Sequence, residues 1–479
     1  MGSDLQPLPE GGATEIAGLT ADSRAVRPGF LFAALPGTKL DGTTFIAQAL
    51  EKGAAALLVP LGAEVKAGVP VIADRNPRRR LALMAARFFG QQPRSIAAVT
   101  GTNGKTSVAT FLREIWTALG EEAASLGTLG IESAKGARPL GYTTPDPVAL
   151  QAELAALAKE GVTHLAMEAS SHGLAQYRLD GVKLRAAGFT NITRDHMDYH
   201  TSFDDYLYAK LRLFGEVMGP GGVAVINADS PQFAEFEALS WARGHRVISV
   251  GRKGKSIFMA AARPTLRGQT LELVHDGRNY EVKLPLVGGF QASNALVAAG
   301  LAIGCGGAAE KVFAALEKLT GAKGRMEEAA HLARGASVYI DYAHTPDALD
   351  NVLQAIRPHT AGKLSVVFGC GGDRDAGKRP LMGEIAAKLA DAVYVTDDNP
   401  RSEEAAAIRA EIIKGCPGAT EIGDRAQAIE TAMRALGKGD VLVVAGKGHE
   451  TGQIVRDKVI PFSDHEAIAA AAKKMGGAA

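Results

Sequence analysis

The run Val99-Thr100-Gly101-Thr102-Asn103-Gly104-Lys105-Thr106-Ser107 combines glycines, a lysine and hydroxyls in the order that wraps a nucleotide's phosphates. In such a loop the backbone N–H groups and the positive end of the following helix face the anion. The lysine reaches the outer phosphates, and the Thr106 hydroxyl can hold Mg²⁺. The spacing departs from the common G-x-x-x-x-G-K-[ST], because Val99 stands where the first glycine belongs. What remains is a shorter T-G-T-N-G-K-T.

Further residues suited to chemistry follow in chain order. Glu168 ends an apolar run, His164 to Glu168, and leads into Ala169-Ser170-Ser171-His172-Gly173. A carboxylate there, after a phosphate loop, suits a metal bound to phosphate. The segment Thr193 to His200 carries two acids and two histidines, Asp195, His196, Asp198 and His200, of which one is expected to touch metal or phosphate. Lys210 lies among Leu207, Leu211 and Phe214, whose spacing predicts a buried helix face. Pattern alone sends that lysine's amine to solvent; the other option is a modified or functionally buried lysine.

The elements that must position these groups read as α/β throughout. Residues 1–92 mix short apolar runs (Gly29–Leu35, Ala55–Val59, Val69–Ala73) with helical stretches at Phe45–Lys52 and Leu81–Phe89, a small domain with its own sheet. Two polar clusters in it, Thr20 to Arg24 and Gly37 to Gly42, read alone as solvated turns. Gly90 to Pro93 reads as a linker. Residues 93–325 form a central P-loop mononucleotide-binding domain. It has strands at Ile96–Val99, His164–Glu168 and Ala187–Asn191, and helices at Val108–Leu119, Pro147–Lys159, Tyr206–Met218 and 295–304. Residues 326–479 form a Rossmann-like domain whose strands, Ser337–Asp341, Leu364–Phe368, Ala392–Thr396 and Asp440–Ala445, each end in a turn rich in Gly, Asp, His or Arg. Four such turns along one sheet edge predict a ligand site.

Composition limits the alternatives. The 479 residues suggest roughly three domains, and with 46% hydrophobic and 22% charged residues each can build a core. Fifty-three basic against fifty-two acidic residues argue against a nucleic-acid surface. Cys305, Cys370 and Cys416 lack metal spacing and read as free thiols. Met1 to Gly12 shows no signal pattern, and no apolar run approaches the ~20 residues of a membrane span. A cytoplasmic enzyme is expected.

With these motifs together, the chain resembles the Mur ligases, the ATP-dependent amide-forming enzymes of bacterial cell-wall precursor synthesis. The short phosphate loop is itself characteristic of that family. The resemblance implies that Ser23, Thr143, Thr144, Ser170, Gln176 and Arg178 hold a UDP-N-acetylmuramoyl-L-alanyl-D-glutamate substrate. It implies that Gly101, Thr102, Asn103, Gly104, Lys105, Thr106 and Ser107 cradle ATP, with Asn294, Arg325, Asp341 and His344 closing over the nucleotide. Thr106, Glu168, His196 and a carbamylated Lys210 would place Mg²⁺, and Lys105, Glu168, His196 and Lys210 would form the catalytic set. Asp398-Asn399-Pro400-Arg401 resembles the family's signature for meso-diaminopimelate as incoming amino acid; lysine-adding relatives lack the arginine. Arg374, Gly446 and Glu450 match positions that complete that site, the acid pairing with the distal ammonium. A guanidinium can pair bidentately with the carboxylate that distinguishes diaminopimelate from lysine. Tyr142 and Gln291 depart from the family pattern, each standing where an Asn is frequent. The resemblance implies a monomer with no nucleic-acid partner. The competing readings are a relative adding lysine or another amino acid, and a P-loop regulatory ATPase.

Overall fold

A computed structural model describes residues 14–37, 41–193, 195–197 and 199–475. The N-terminal stretch Met1 to Gly12, Thr38 to Leu40 of the second turn cluster, and Arg194 and Asp198 lie outside the described residues. By packing the chain forms two compact units, 1–105 with 120–226 and 230–247, and 106–119 with 227–229 and 248–479.

The first unit holds two sheets. Strands Gly18–Thr20, Phe30–Ala33, Ala56–Pro60 and Val71–Asp74 form a parallel sheet in that order. Leu31, Phe32, Leu57 and Leu58 are fully buried because both faces are covered. Ile46 and Ala49 of helix Ile46–Glu51 cover one face, Leu81 and Ala85 of helix Pro77–Phe89 the other. The latter helix starts four residues before the apolar pattern does, because Asn76 caps the Arg79 N–H and Pro77 suits the first turn.

In the second sheet the strands run Val223–Asn227, Leu184–Phe189, Ser95–Thr100, His164–Glu168 and Ala123–Gly127, all parallel, before an antiparallel meander. Its core includes Leu150 and Leu154 of helix Pro147–Lys159 and the stacked rings of Phe189 and Phe236, 3.8 Å between centroids. Two expectations are corrected here. The strand expected at Ala187–Asn191 ends at Phe189, because Thr190 and Asn191 turn to bond the phosphate loop instead of the ladder. The helix expected from Tyr206 starts at Phe203, capped by Ser202, and its last turn widens to a π-turn over Leu213–Val217.

The second unit carries the antiparallel strands Ile257–Thr265, Gly268–His275 and Arg278–Leu284, then helix Gly289–Gly304, six residues longer at its start than the Ala-rich pattern. A six-stranded sheet follows in the order Arg325–His331, Ser337–Asp341, Val441–Ala445, Leu364–Phe368, Ala392–Val395, Thr420–Glu421. Only its first strand is antiparallel. The four expected strands are therefore parallel neighbours, and their turns share one edge. Leu349, Leu353 and Met382 cover one face, Ile429, Met433 and Ile468 the other. The edge strand Arg325–His331 and the hairpin Gly452–Val455/Lys458–Pro461 have no counterpart in the sequence reading. Among the described residues no helix is long and apolar enough to cross a membrane, and none of the three cysteines forms a disulfide.

Candidate active site

The phosphate loop leaves strand Ser95–Thr100 and enters helix Lys105–Ala118. A Cβ at Gly101 would fall on the Thr190 hydroxyl, so this position admits only glycine, and Gly104 turns at φ 87°. Segment 190–193 holds the loop from the side. Thr190 Oγ1 donates to Asn103 O at 2.6 Å, Asn103 N to Asn191 Oδ1 at 3.0 Å, and Thr102 N to Asn191 O at 2.8 Å.

Two lysines converge on the loop. Lys105 Nζ donates to Gly101 O and Thr102 O, each at 2.8 Å, and Lys210 Nζ donates to Gly101 O at 2.8 Å. Lys210 is 1% exposed and lies 4.3 Å over the Tyr206 ring. The outward path expected for its amine is wrong. The buried face is Tyr206, Ala209, Lys210, Leu213 and Phe214, whereas Leu207 and Leu211 are half-buried. Burial, then the nearby positive charge of Lys105, lowers the Lys210 pKa well below the ordinary lysine value, with Asp195 opposing.

Glu168, 2% exposed, accepts hydrogen bonds from Thr128 N at 2.7 Å and Thr128 Oγ1 at 3.2 Å. Gly127 leaves the room for it, since a Cβ there would strike its carboxyl carbon. No basic side chain pairs with Glu168 among the described residues; its hydrogen bonds come from Thr128. His196 sits at φ 54°, its ring 4.9 Å from that of His172 and its N–H bonded to Asp195. Among the described residues no three His, Cys, Asp or Glu side chains are grouped to hold a metal by themselves. A single buried carboxylate such as that of Glu168 suits Mg²⁺, which takes one or two carboxylates and fills its remaining positions with phosphate oxygens and water. Thr106 and Ser107 are buried in the first turn of their helix.

Four of the six residues expected to hold the muramoyl substrate form one network. Thr144 Oγ1 donates to Glu168 O and accepts from Ser170 N, and Ser170 Oγ caps the Gly173 N–H at 3.0 Å. Arg178 donates to Thr144 O at 2.6 Å and to Gln176 Oε1 at 2.7 Å, and Gln176 donates to the Tyr199 hydroxyl. Thr143 bonds Thr128, the same residue that holds Glu168. Ser23 is buried, its Oγ donating to Gln48 Oε1 at 2.6 Å, and it lines a cavity of about 940 Å³ with Asp22, Gln48, Asp146 and Val148. The first turn cluster therefore lines a cavity as well as being a solvated turn: Ser23 is buried while Ala21 and Arg24 are exposed. Gln48 escaped notice; its signal was a polar residue between the buried Ile46 and Ala49.

In the second unit Asn294 donates to Gln291 Oε1, and Gln291 donates to Arg325 O at 3.1 Å, so the unusual glutamine holds the backbone of Arg325. The Arg325 guanidinium lies 4.5 Å over the Tyr342 ring. The buried Asp341 carboxylate accepts from Met326 N at 2.7 Å and Ala343 N at 2.8 Å; burial raises its pKa against the pull of Arg325. His344 Nδ1 donates to Tyr342 O. His449, whose ring lies 5.5 Å from that of Tyr342, is pushed down to about 4 by burial and then by Arg325.

At the same sheet edge the turns 398–401 and 446–450 interlock. Asn399 Oδ1 accepts from Lys447 Nζ at 3.1 Å and Ile454 N at 2.9 Å, and its Nδ2 donates to Glu450 Oε2 at 3.1 Å. Gln453 donates to Asp398 O, and Arg401 N donates to Ile454 O, so the hairpin grips both ends of the turn. Arg401 is held at φ 53°, strain that a functional turn tolerates, and its Nη1 donates to Gly372 O at 2.8 Å. Pro400 O packs against Gly372, where no Cβ could fit. Gly446, at φ 114°, lets Asp398 approach: a Cβ there would lie 2.8 Å from Asp398 Oδ2. The Asp398 carboxylate accepts no hydrogen bond among the described residues. Arg374 is exposed on the turn after strand Leu364–Phe368.

Three family models match in chain order: "Mur ligase family, catalytic domain" over residues 15–89, "Mur ligase middle domain" over 99–302, and "Mur ligase, glutamate ligase domain" over 324–448. Among curated relatives, the UDP-N-acetylmuramoyl-L-alanyl-D-glutamate–2,6-diaminopimelate ligase of Bradyrhizobium diazoefficiens is 56% identical, covering 98% of each chain. The protein of the same name from Caulobacter vibrioides is 55% identical over 96% of each. A solved structure of a ligase of that name superposes with a TM-score of 0.74 at 34% identity, covering 96% of this chain and 95% of its own. MurF from Acinetobacter baumannii shares the fold, at TM-score 0.62, 22% identity and 91% coverage of each chain. With family models spanning all three α/β domains and relatives more than half identical along almost the whole length, this chain belongs to the Mur ligase family.

Proposed function

We propose that the chain is the ATP-dependent ligase that joins meso-2,6-diaminopimelate to UDP-N-acetylmuramoyl-L-alanyl-D-glutamate in peptidoglycan precursor synthesis. The observation that carries this reading is the interlocked pair of turns at 398–401 and 446–450. They offer the Arg401 guanidinium, the Asp398 carboxylate and the Glu450 carboxylate from fixed backbone at one sheet edge. Such an arrangement suits an amino acid whose far end is itself a zwitterion.

In the reaction the γ-carboxylate of the D-glutamyl residue attacks the γ-phosphorus of ATP, forming an acyl phosphate and releasing ADP. The amine of diaminopimelate then attacks the acyl carbon, and phosphate leaves from the tetrahedral intermediate as the amide forms. Lys105 neutralises charge on the transferring phosphoryl group, and the loop N–H groups orient it. Mg²⁺, held by Thr106, Glu168, His196 and carbamylated Lys210, would supply charge neutralisation at the phosphates. Lys210 supports carbamylation because its enclosure favours the neutral amine, which bonds CO₂ and gives up a proton to leave an anion. Thr143, Thr144, Ser170, Gln176 and Arg178 would bind the muramoyl peptide, and Ser23 the uridylyl end in the 940 Å³ cavity. Asn294, Arg325, Asp341 and His344 would close on the nucleotide, and Arg374 and Gly446 would complete the amino-acid site. Domain limits at 92 and 325, a monomeric state and a cytoplasmic location belong to the same reading.

The test is ADP release measured with the UDP-muramoyl dipeptide present, with meso-diaminopimelate and L-lysine in parallel. Release that needs both the dipeptide and meso-diaminopimelate supports the reading. Release without either substrate would favour a regulatory ATPase.

A further inference from the structure

Lys447 is a fully buried lysine in the turn that follows strand Val441–Ala445, and the sequence reading gave it no role. Its Nζ bridges Asn399 Oδ1 at 3.1 Å and Glu450 Oε2 at 3.0 Å. Asn399 Nδ2 donates to the same Glu450 oxygen at 3.1 Å. One oxygen of Glu450 is therefore anchored twice, while among the described residues its Oε1 receives no donor. Asn399 is spent internally, 5% exposed, with its Oδ1 shared between Lys447 and Ile454 N–H. The turn is braced from behind. The Arg425–Asp464 pair, both side chains 0% exposed, donates through Arg425 Nη2 to Ala445 O at 2.9 Å, one residue before Gly446.

From this geometry we infer that Lys447 is a specificity-determining positioning residue. By holding Glu450 Oε2 it fixes Oε1 as the acceptor for the distal ammonium of the incoming amino acid. It does not touch that amino acid; it acts through Glu450. The inference rests on the ligase reading above and adds to it a division of labour. Arg401 selects the distal carboxylate, and the Lys447–Glu450 pair selects the distal ammonium.

The experiment compares kcat/KM for three amino acids: meso-diaminopimelate, 2-aminopimelate (distal carboxylate, no distal amine) and L-lysine (distal amine, no distal carboxylate). Lys447→Met keeps the volume, and Asn399 Oδ1 keeps its Ile454 N–H, so no buried polar group is stranded. Wild type should prefer meso-diaminopimelate over 2-aminopimelate by about 10- to 100-fold, the worth of one charge-assisted hydrogen bond. In Lys447→Met that ratio should fall by at least about threefold, because Asn399 Nδ2 alone still holds Glu450 Oε2. Preference over L-lysine and the KM values for ATP and the muramoyl substrate should stay as in wild type. General damage would lower all three amino acids alike. Glu450→Gln should lose the same ratio, with no further loss in the double variant. A Lys447→Met enzyme that keeps the wild-type ratio overturns the assignment. So does a wild type that fails to distinguish the two dicarboxylates, a result independent of how any variant folds. A wild type indifferent to every amino acid overturns the ligase reading itself, which separates the two failures.

Discussion

The phosphate loop and the amino-acid turns both sit at the carboxyl ends of parallel strands, yet they hold charge in opposite ways. At the loop, Lys105 and Lys210 bond to the neutral carbonyls of Gly101 and Thr102. The carbonyl bonds of Lys105 are weaker than those a lysine makes to phosphate, so under the ligase reading a nucleotide would claim Lys105 while the enclosed Lys210 stays in place. At the turns, charged groups are fixed by other side chains: Lys447 to Glu450, Asn399 to both, and Arg401 to Gly372 O. Under the proposed function, recognition of the phosphate common to many substrates would be left to backbone N–H groups and the exchangeable Lys105. Discrimination between near-identical amino acids would, on the same reading, be prebuilt, since fixed groups lose less entropy on binding.

Perturbing each side should break that contrast in a different direction. Lys105→Ala should lower kcat about 10³-fold or more for every amino acid, because transition-state charge on the phosphoryl group goes unmatched. A loss specific to one amino acid would contradict it. Arg401→Ala should cost about 2–5 kcal/mol in kcat/KM for meso-diaminopimelate while leaving the KM for ATP unchanged. Equal kinetics in wild type and variant would remove Arg401 from the site. Lys210→Ala should lose most activity and regain part of it with added short-chain carboxylates, which replace the carbamate's charge. An unimpaired variant would refute carbamylation as a requirement.

The smallest effect concerns stability. His449 is held neutral in the fold, with its pKa at about 4 against 6.5 when unfolded. The unfolded chain then binds more protons between those values, so stability is full above about 6.5 and falls as pH drops through that window, by at most about 3 kcal/mol. Denaturant melts at pH 7 and pH 4.5 should show that loss in wild type and a smaller one in His449→Gln. Identical losses would place His449 outside the titration.

How legible these regions were in the sequence follows from the same contrast. Strands buried on both faces, such as His164–Glu168 and Leu364–Phe368, read as short, mostly apolar runs and emerged with their limits intact. The loop was visible because glycine, lysine and threonine act there through backbone and spacing. Lys210 does lie on a buried face, as the option of a functionally buried lysine had it; the spacing of Leu207, Leu211 and Phe214 located that face only to within a residue or so and could not say that the amine stays inside. The buried stripe is centred instead on Tyr206, Lys210 and Leu213. Strand Arg325–His331 was hidden by its charges, and the hairpin over Gly452–Pro461 by exposure along Lys458–Pro461. Lys447 lies between Gly446 and Glu450, in the turn after Ala445. A sequence does not tell that its amine points inward to Glu450 and not outward to solvent.

The most direct test of the account remains ADP release by wild type with ATP and the UDP-muramoyl dipeptide, meso-diaminopimelate being compared with L-lysine. Release should require the dipeptide and favour meso-diaminopimelate by at least about 30-fold, the lower bound set by one buried charge pair. Equal rates with the two amino acids, or release with neither present, would contradict it.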